Sequence, residues 1–318
     1  MSSEVVLVTT RSFGTGDADP AVRLRAAGLE VVSGDPGHDP SALAEPLSRA
    51  VGWIAGTGPV RAEHLELAPG LRVIARFGTG TDAVDLAAAA ARDVVVARTP
   101  GANAESVADH AVALMLAALR HVVAADRAVR DGGWRAPARG RELGALTVGV
   151  IGYGAVGRGV AHRVGAGFGS RVLAYDPFVD AAEDAELTSL ETVVGESDIV
   201  SLHLPGGGEP LVDAELLERF KPGAVLVNTA RGGLLDEPAV AVALAAGRLG
   251  AAAFDVLAAE PATSSPLLAA PNVTVTPHLS AQTTQAIDRM GFESVDEVLR
   301  VLRGEPPLHA VPRQEISP

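Results

Sequence analysis

A chain of 318 residues, 47% hydrophobic and 20% charged, is long enough to bury two cores. Its formal charge of −13 argues against nucleic acid or an anionic membrane as a partner, since both need clustered cations, so any arginine that binds an anion must be placed singly. The lack of cysteine removes disulfides, thiolate nucleophiles and Cys-ligated zinc, and no histidine pair has metal-ligand spacing, so no metal is expected.

The opening MSSEVVLVTTRS has no basic n-region, and its apolar run is only a strand long. AVALMLAALR is too short to span a bilayer, so the expectation is a soluble, cytoplasmic protein. VVLVTT (5–10), EVV (30–32), GWIAGT (52–57), LRVIARFG (71–78) and VVVAR (94–98) predict strands, with helical patterns such as PAVRLRAAG between them. That alternation predicts a small parallel α/β domain. Residues 103–130 lack Gly and Pro and carry apolar residues at helical spacing, which predicts one or two long helices. A second series of six strands (146–152, 171–176, 198–205, 224–230, 250–256 and 273–277) predicts a doubly wound dinucleotide-binding sheet, and 283–302 is helical again. The last strand, within PNVTVTPHLS, is expected to be buried and to stop at Pro277, presenting His278.

The turn after the first strand of the second series reads Gly152-x-Gly154-x-x-Gly157 and opens a helix. The first glycine makes the tight turn, the second lets backbone approach a pyrophosphate, and the third lets helix and strand pack closely. Ala155 and Val156 would offer their N–H groups to that anion at the helix N-terminus. The next strand ends on Asp176, about 20 residues on, where a carboxylate binds the ribose hydroxyls and repels a 2′-phosphate. The cofactor expected is therefore NAD.

Ligands of such a sheet bind beyond the carboxyl ends of its strands. There the fourth strand delivers Arg231, the fifth Asp255 and then Glu260, and the sixth His278. A guanidinium can hold a substrate carboxylate in bidentate fashion. An imidazole can protonate a developing alkoxide, while a carboxylate behind it fixes its tautomer and keeps it charged. These three residues suit hydride transfer to a 2-oxo acid. His38, His64, His121 and His309 read as surface or helix residues, and His110 and His162 as helix packing.

In this order and spacing, RFGTGTDAVDLAAA, TPGANAESVADHAVAL, TVGVIGYGAVG, LHLP, KPGAVLVNTARGGLLDE, FDVLAAEP and NVTVTPH resemble the D-isomer-specific 2-hydroxyacid dehydrogenases, the phosphoglycerate dehydrogenase-like proteins among them. The resemblance runs from about residue 71 onward. It implies a Rossmann doubly wound nucleotide-binding domain over 100–282 and a smaller flavodoxin-like parallel α/β substrate domain made of 1–99 and 283–318. It also implies Arg231, Glu260 and His278 as the catalytic set, with Asp255 holding the nicotinamide carboxamide. Thr229, Ala230, Ser280 and Ala281 would line the nicotinamide side, with further cofactor contacts at His203, Leu204, Pro205 and Val107. The amides of Gly78, Thr79 and Gly80 would clasp the substrate carboxylate, and a homodimer would form on the nucleotide-binding domain.

The chain departs from the family pattern at Ala83, at the Gly206–Gly207–Gly208 run after LHLP, and at Gln285. Gly56 stands where many phosphoglycerate dehydrogenases carry an arginine, and no C-terminal regulatory domain is expected. Arg76 and Arg11 are the cations near the first domain's strand ends, open to a phosphate, phosphonate or second carboxylate on the substrate. Phosphite oxidation uses the same three residues and stands as an alternative, as does an NAD-sensing dimeric corepressor from a different functional class.

Overall fold

The computed structural model describes residues 4–135 and 138–311, so residues 1–3 and 312–318 at the ends of the expected substrate domain lie outside the described residues. The chain divides into two compact units, one running to Asn103 and resuming at Ala281, the other Ala104–Ser280.

In the first unit β1 (Val5–Val8), β2 (Glu30–Ser33), β3 (Ala50–Ala55), β4 (Val73–Arg76) and β5 (Val95–Ala97) form a parallel sheet in the order β2-β1-β3-β4-β5. This is the flavodoxin-like order. β1 is buried at every residue because its alternating side chains feed two cores. Leu7 packs with Leu43, Leu47, Trp53 and Ile74, whereas Val6 and Val8 pack with Ile54, Val73, Val295 and Val298. The last two belong to the helix Thr284–Leu302, so the C-terminal helix completes a core begun by the first strand.

The second unit holds β6 (Thr147–Ile151), β7 (Arg171–Tyr175), β8 (Glu186–Leu187), β9 (Ile199–Leu202), β10 (Ala224–Asn228), β11 (Leu249–Phe254) and β12 (Val273–Val275). They form a parallel sheet in the order β12-β11-β10-β9-β6-β7-β8, the doubly wound arrangement with one strand added at an edge. Alternation again serves two faces. Val148, Val150, Val225 and Val227 meet Ala108, Ala111 and Met115 of the helix Ala104–Leu119, while Ile151, Leu226 and Phe254 pack on the other side.

Two expectations need correction, and the expectation of one or two long helices over 103–130 resolves to two. The second sheet has seven strands among the described residues, not six, because the two-residue β8 is too short to carry a periodic signal. β12 is an edge strand paired only with β11, its residues half-buried or exposed, since a short apolar run reads alike at an edge and in the middle of a sheet. The helical stretch over 103–130 is two helices, Ala104–Leu119 and Val122–Arg130, broken where His121 turns left-handed at φ 53°. Among the described residues no single helix is long and apolar enough to cross a membrane.

Candidate active site

The larger sheet reverses its strand order between β6 and β9, and ligand-binding crevices in this architecture open at that switch point. Gly152 follows β6 with φ 92°, and a Cβ there would come within 2.6 Å of the His203 carbonyl beyond β9. A Cβ on Gly157 would run into the Gly152 carbonyl, so helix and strand touch only because it is absent. Gly154 has nothing within 4 Å of its Cβ position and caps the helix Ala155–His162, so Ala155 and Val156 open that helix on an uncrowded turn. Asp176, just past β7, accepts from Tyr153 N at 2.7 Å and Phe178 N at 2.9 Å, fastening its carboxylate to the glycine turn.

Two buried polar atoms beside this crevice have no hydrogen-bond partner: His203 Nδ1 after β9 and Thr229 Oγ1 after β10. Burial pushes the His203 imidazole down to about 3, so it is neutral, with Nε2 paired to Ser201 Oγ at 2.9 Å. Open glycine backbone, a carboxylate at the end of the second strand and unpaired buried donors and acceptors fit a dinucleotide. Leu204, Pro205 and Ala230 continue the same strand ends, and Val107 is buried on the helix Ala104–Leu119. Ser280 is buried with its carbonyl taking Ser106 Oγ–H at 2.5 Å, whereas Ala281 belongs to the first unit and packs by Ala102 and Met290.

The structure brings Glu260 and His278 together, with Glu260 Oε2 2.7 Å from His278 Nδ1 and both side chains 40% exposed. Glu260 stands on the loop after β11, where its bond to Pro261 is cis. His278 follows β12 with φ 50°, a conformation that L-residues rarely adopt outside constrained sites. Asp255 imposes it. The Asp255 carbonyl accepts from His278 N at 2.9 Å, while its carboxylate takes Leu279 N and Ser280 N at 2.9 Å each and Thr276 Oγ1–H at 2.6 Å. Burial alone would raise this carboxyl, yet donors from His110, Thr276, Leu279 and Ser280 hold it well below the ordinary carboxylate range. The lone pairs expected to meet a carboxamide are thus largely spent on shaping the turn that presents His278.

The Glu260 bond outweighs desolvation and raises the His278 imidazole above its usual value. In Glu260 the opposing burial is overcome by the same bond, which holds the carboxyl low. Both shifts describe an imidazolium–carboxylate pair. Arg231 lies where β10 ends, and its charge acts against protonation of His278. Its Nη1 donates to Ala230 O at 2.7 Å.

Three supporting residues escaped the sequence reading. Asn228 builds the Arg231 turn by accepting from Ala230 N at 2.9 Å and donating to Arg231 O at 2.8 Å; its place at a strand end before a turn was the available signal. His110 is not mere helix packing, since its Nε2 donates to Thr276 Oγ1 at 3.0 Å and lies 3.6 Å from Asp255 Oδ1. No local pattern marks His110 or Thr276, because their partners are distant in sequence. His38 is neither a surface nor a helix residue, whereas His64 does lie on a helix, Ala62–Glu66; both are buried in the first unit, bonded to Thr9, Pro59 and backbone.

In the first unit Arg76 is buried, and its guanidinium donates to Gly80 O at 3.0 Å and to Gly56 O. It braces two strand-end loops rather than standing in solvent, whereas Arg11 is exposed. The Gly78 amide is committed to Thr99 Oγ1 at 3.0 Å, which narrows the expected carboxylate clasp to the amides of Thr79 and Gly80. Among the described residues no group of His, Asp and Glu is arranged to hold a metal ion.

Residues 112–280 match the family model for the D-isomer specific 2-hydroxyacid dehydrogenase NAD binding domain. The chain is 47% identical over 253 residues to D-3-phosphoglycerate dehydrogenase of Mycobacterium tuberculosis, covering 77% of this chain and 48% of that one. It is 39% identical over 250 residues to hydroxypyruvate reductase of Thermotoga maritima, covering 76% and 81%. Among solved structures, the TT0316 protein of Thermus thermophilus superimposes with a TM-score of 0.88 at 38% identity, over 97% of this chain and 100% of that one. The fold and crevice are those of an NAD-binding Rossmann protein with a second parallel α/β unit. The chain belongs to the D-isomer-specific 2-hydroxyacid dehydrogenase family. It spans about half the length of the phosphoglycerate dehydrogenases it matches.

Proposed function

We propose that the protein interconverts a small 2-oxo acid and its D-2-hydroxy acid with NAD. The observation that carries this reading is the 2.7 Å contact between His278 Nδ1 and Glu260 Oε2 at the carboxyl end of a dinucleotide-binding sheet. When bound, the nicotinamide cofactor would supply the hydride as NADH or accept it as NAD+. With Nδ1 paired to Glu260, Nε2 is the ring nitrogen that protonates the forming alkoxide, and it takes the proton back in the oxidative direction. Arg231 binds the substrate carboxylate, and Glu260 keeps His278 charged in the reductive direction. Asp176 selects NAD over NADP.

Relatives named for 3-phosphoglycerate and hydroxypyruvate favour a three-carbon substrate, with Arg11 the exposed cation for an added phosphate or phosphonate. A homodimer through the Ala104–Ser280 unit is supported by the helix Val122–Arg130, which buries none of its residues and exposes Val122, Val123 and Val129. Light scattering on wild type and on Val123→Lys/Val129→Lys tests it, with a monomeric wild type as the contrary result.

The test of function is NADH oxidation with glyoxylate, pyruvate, hydroxypyruvate, phosphohydroxypyruvate and phosphonopyruvate, with His278→Ala as control. Turnover of at least one, lost in the variant, is expected. Tight NADH binding with no turnover of any of them would contradict the reading.

A further inference from the structure

The loop that carries Glu260 is held on both sides by one carboxylate from another element. Glu237 opens the helix Glu237–Ala245 and is only 8% exposed, a depth at which glutamate is rarely found unpaired. Its Oε1 accepts from Ala258 N at 2.7 Å and its Oε2 from Ser265 Oγ at 2.6 Å. Ala258 and Ser265 bracket Glu260. The same loop lies directly on Gly232, the neighbour of Arg231, where a Cβ would run into the backbone of Leu257 and Ala258. Within the loop, Glu260 Oε1 accepts from Leu257 N at 3.3 Å.

The Glu260–His278 pair is 40% exposed on both sides, and such open ion pairs contribute too little to order a loop. Hydrogen bonds to a charged group are the stronger kind, and Glu237 makes two, both half-buried.

We propose that Glu237 is a positioning residue: by anchoring Ala258 and Ser265 it seats the loop against Gly232 and sets the Glu260 carboxylate where it meets His278. It touches neither substrate nor cofactor itself. This role rests on the acid/base reading of Glu260 and His278. Both partners of Glu237 are donors, so a carboxylate satisfies both, whereas alanine satisfies neither. Glutamine can still accept from Ala258 N and donate to Ser265 Oγ once that hydroxyl turns, so Glu237→Gln is the rescuing variant.

The experiment compares Glu237→Ala, Glu237→Gln and Ser265→Ala in the full chain, using NADH and the best 2-oxo acid. Glu237→Ala should lower kcat for reduction about 10- to 100-fold and move the basic limb of its pH profile to lower pH, with NADH affinity unchanged. Ser265→Ala should do the same more weakly, and Glu237→Gln should retain most activity. A folded Glu237→Ala, or Ser265→Ala if the former does not fold, with the wild-type kcat and pH limb overturns the role. If His278→Ala abolishes turnover in the same series, that failure concerns Glu237 alone; if turnover survives His278→Ala, the acid/base reading falls and the role of Glu237 with it.

Discussion

Two histidines, one in each unit, show how environment decides what an imidazole does. His38 and His278 both have left-handed backbones, at φ 60° and 50°. His38 meets neutral partners, Thr9 Oγ1 at 2.6 Å and Pro59 O at 3.0 Å, and burial pushes it down to about 4. Trp53 Nε1 donates to the same Thr9 oxygen at 2.8 Å, leaving the threonine proton for His38 Nε2 and fixing the His38 proton on Nδ1. His64 is satisfied in the same way, with Nδ1 accepting from Arg61 N and Nε2 donating to His38 O. Every ring nitrogen of that pair is paired, and the pair is structural. His278 instead faces a carboxylate and keeps its proton. Burial among neutral partners keeps the packed ring uncharged, and a carboxylate partner keeps the more exposed ring protonated.

The largest effect that would break this contrast is His278→Ala, which should lower kcat about 10²- to 10⁴-fold with NADH affinity intact; single-turnover and binding measurements separate the two. Glu260→Gln keeps the shape and removes the charge. Reduction requires protonated His278, so its rate is full below the raised pKa and falls as pH rises through it, above about 6.5. Glu260→Gln should move that limb to lower pH and lower kcat at neutral pH about 10-fold. Oxidation requires the neutral ring, so its rate rises over the same window.

His38→Asn, which tolerates the left-handed backbone, should cost about 1–3 kcal/mol of stability and leave the pH profile of turnover unmoved. Because folded His38 resists protonation down to about 4 while the unfolded ring protonates near 6.5, wild-type stability falls as pH drops between those values. Denaturant melts between pH 5 and 7, taken as roughly that window, should show a shallower slope in the variant. The smallest effect belongs to Gly206. Its backbone is not left-handed, so glycine is not needed for conformation, but a Cβ would sit 2.8 Å from Arg231 Cγ. Gly206→Ala should raise KM for the 2-oxo acid roughly 5-fold, about 1 kcal/mol, without changing NADH affinity.

Much of the layout was legible because it is written locally. Strand periodicity, the Gly152–Gly157 turn and residues just past strand ends each leave a mark within a few positions. Unread were the long-range partners: His110 with Thr276, Glu237 with Ser265, and Thr9 with His38. Nothing in the surroundings of His38 distinguishes a surface ring from one whose partners are Thr9, just past β1, and the carbonyl of Pro59 on a later loop. The carbonyls that Arg76 braces went unread for the same reason, since backbone acceptors leave no side-chain signature. Burial of β12 failed differently: its composition suits a central strand, but its neighbours end the sheet there.

The most direct measurement is a histidine-resolved NMR titration of wild type and Glu260→Gln, following each imidazole by its ring resonances. The account predicts that His278 titrates above about 6.5 in wild type and moves down in the variant, while His38 stays neutral to about 4 in both. A His278 that titrates at or below the ordinary value in wild type, or that ignores the loss of the Glu260 charge, would contradict it.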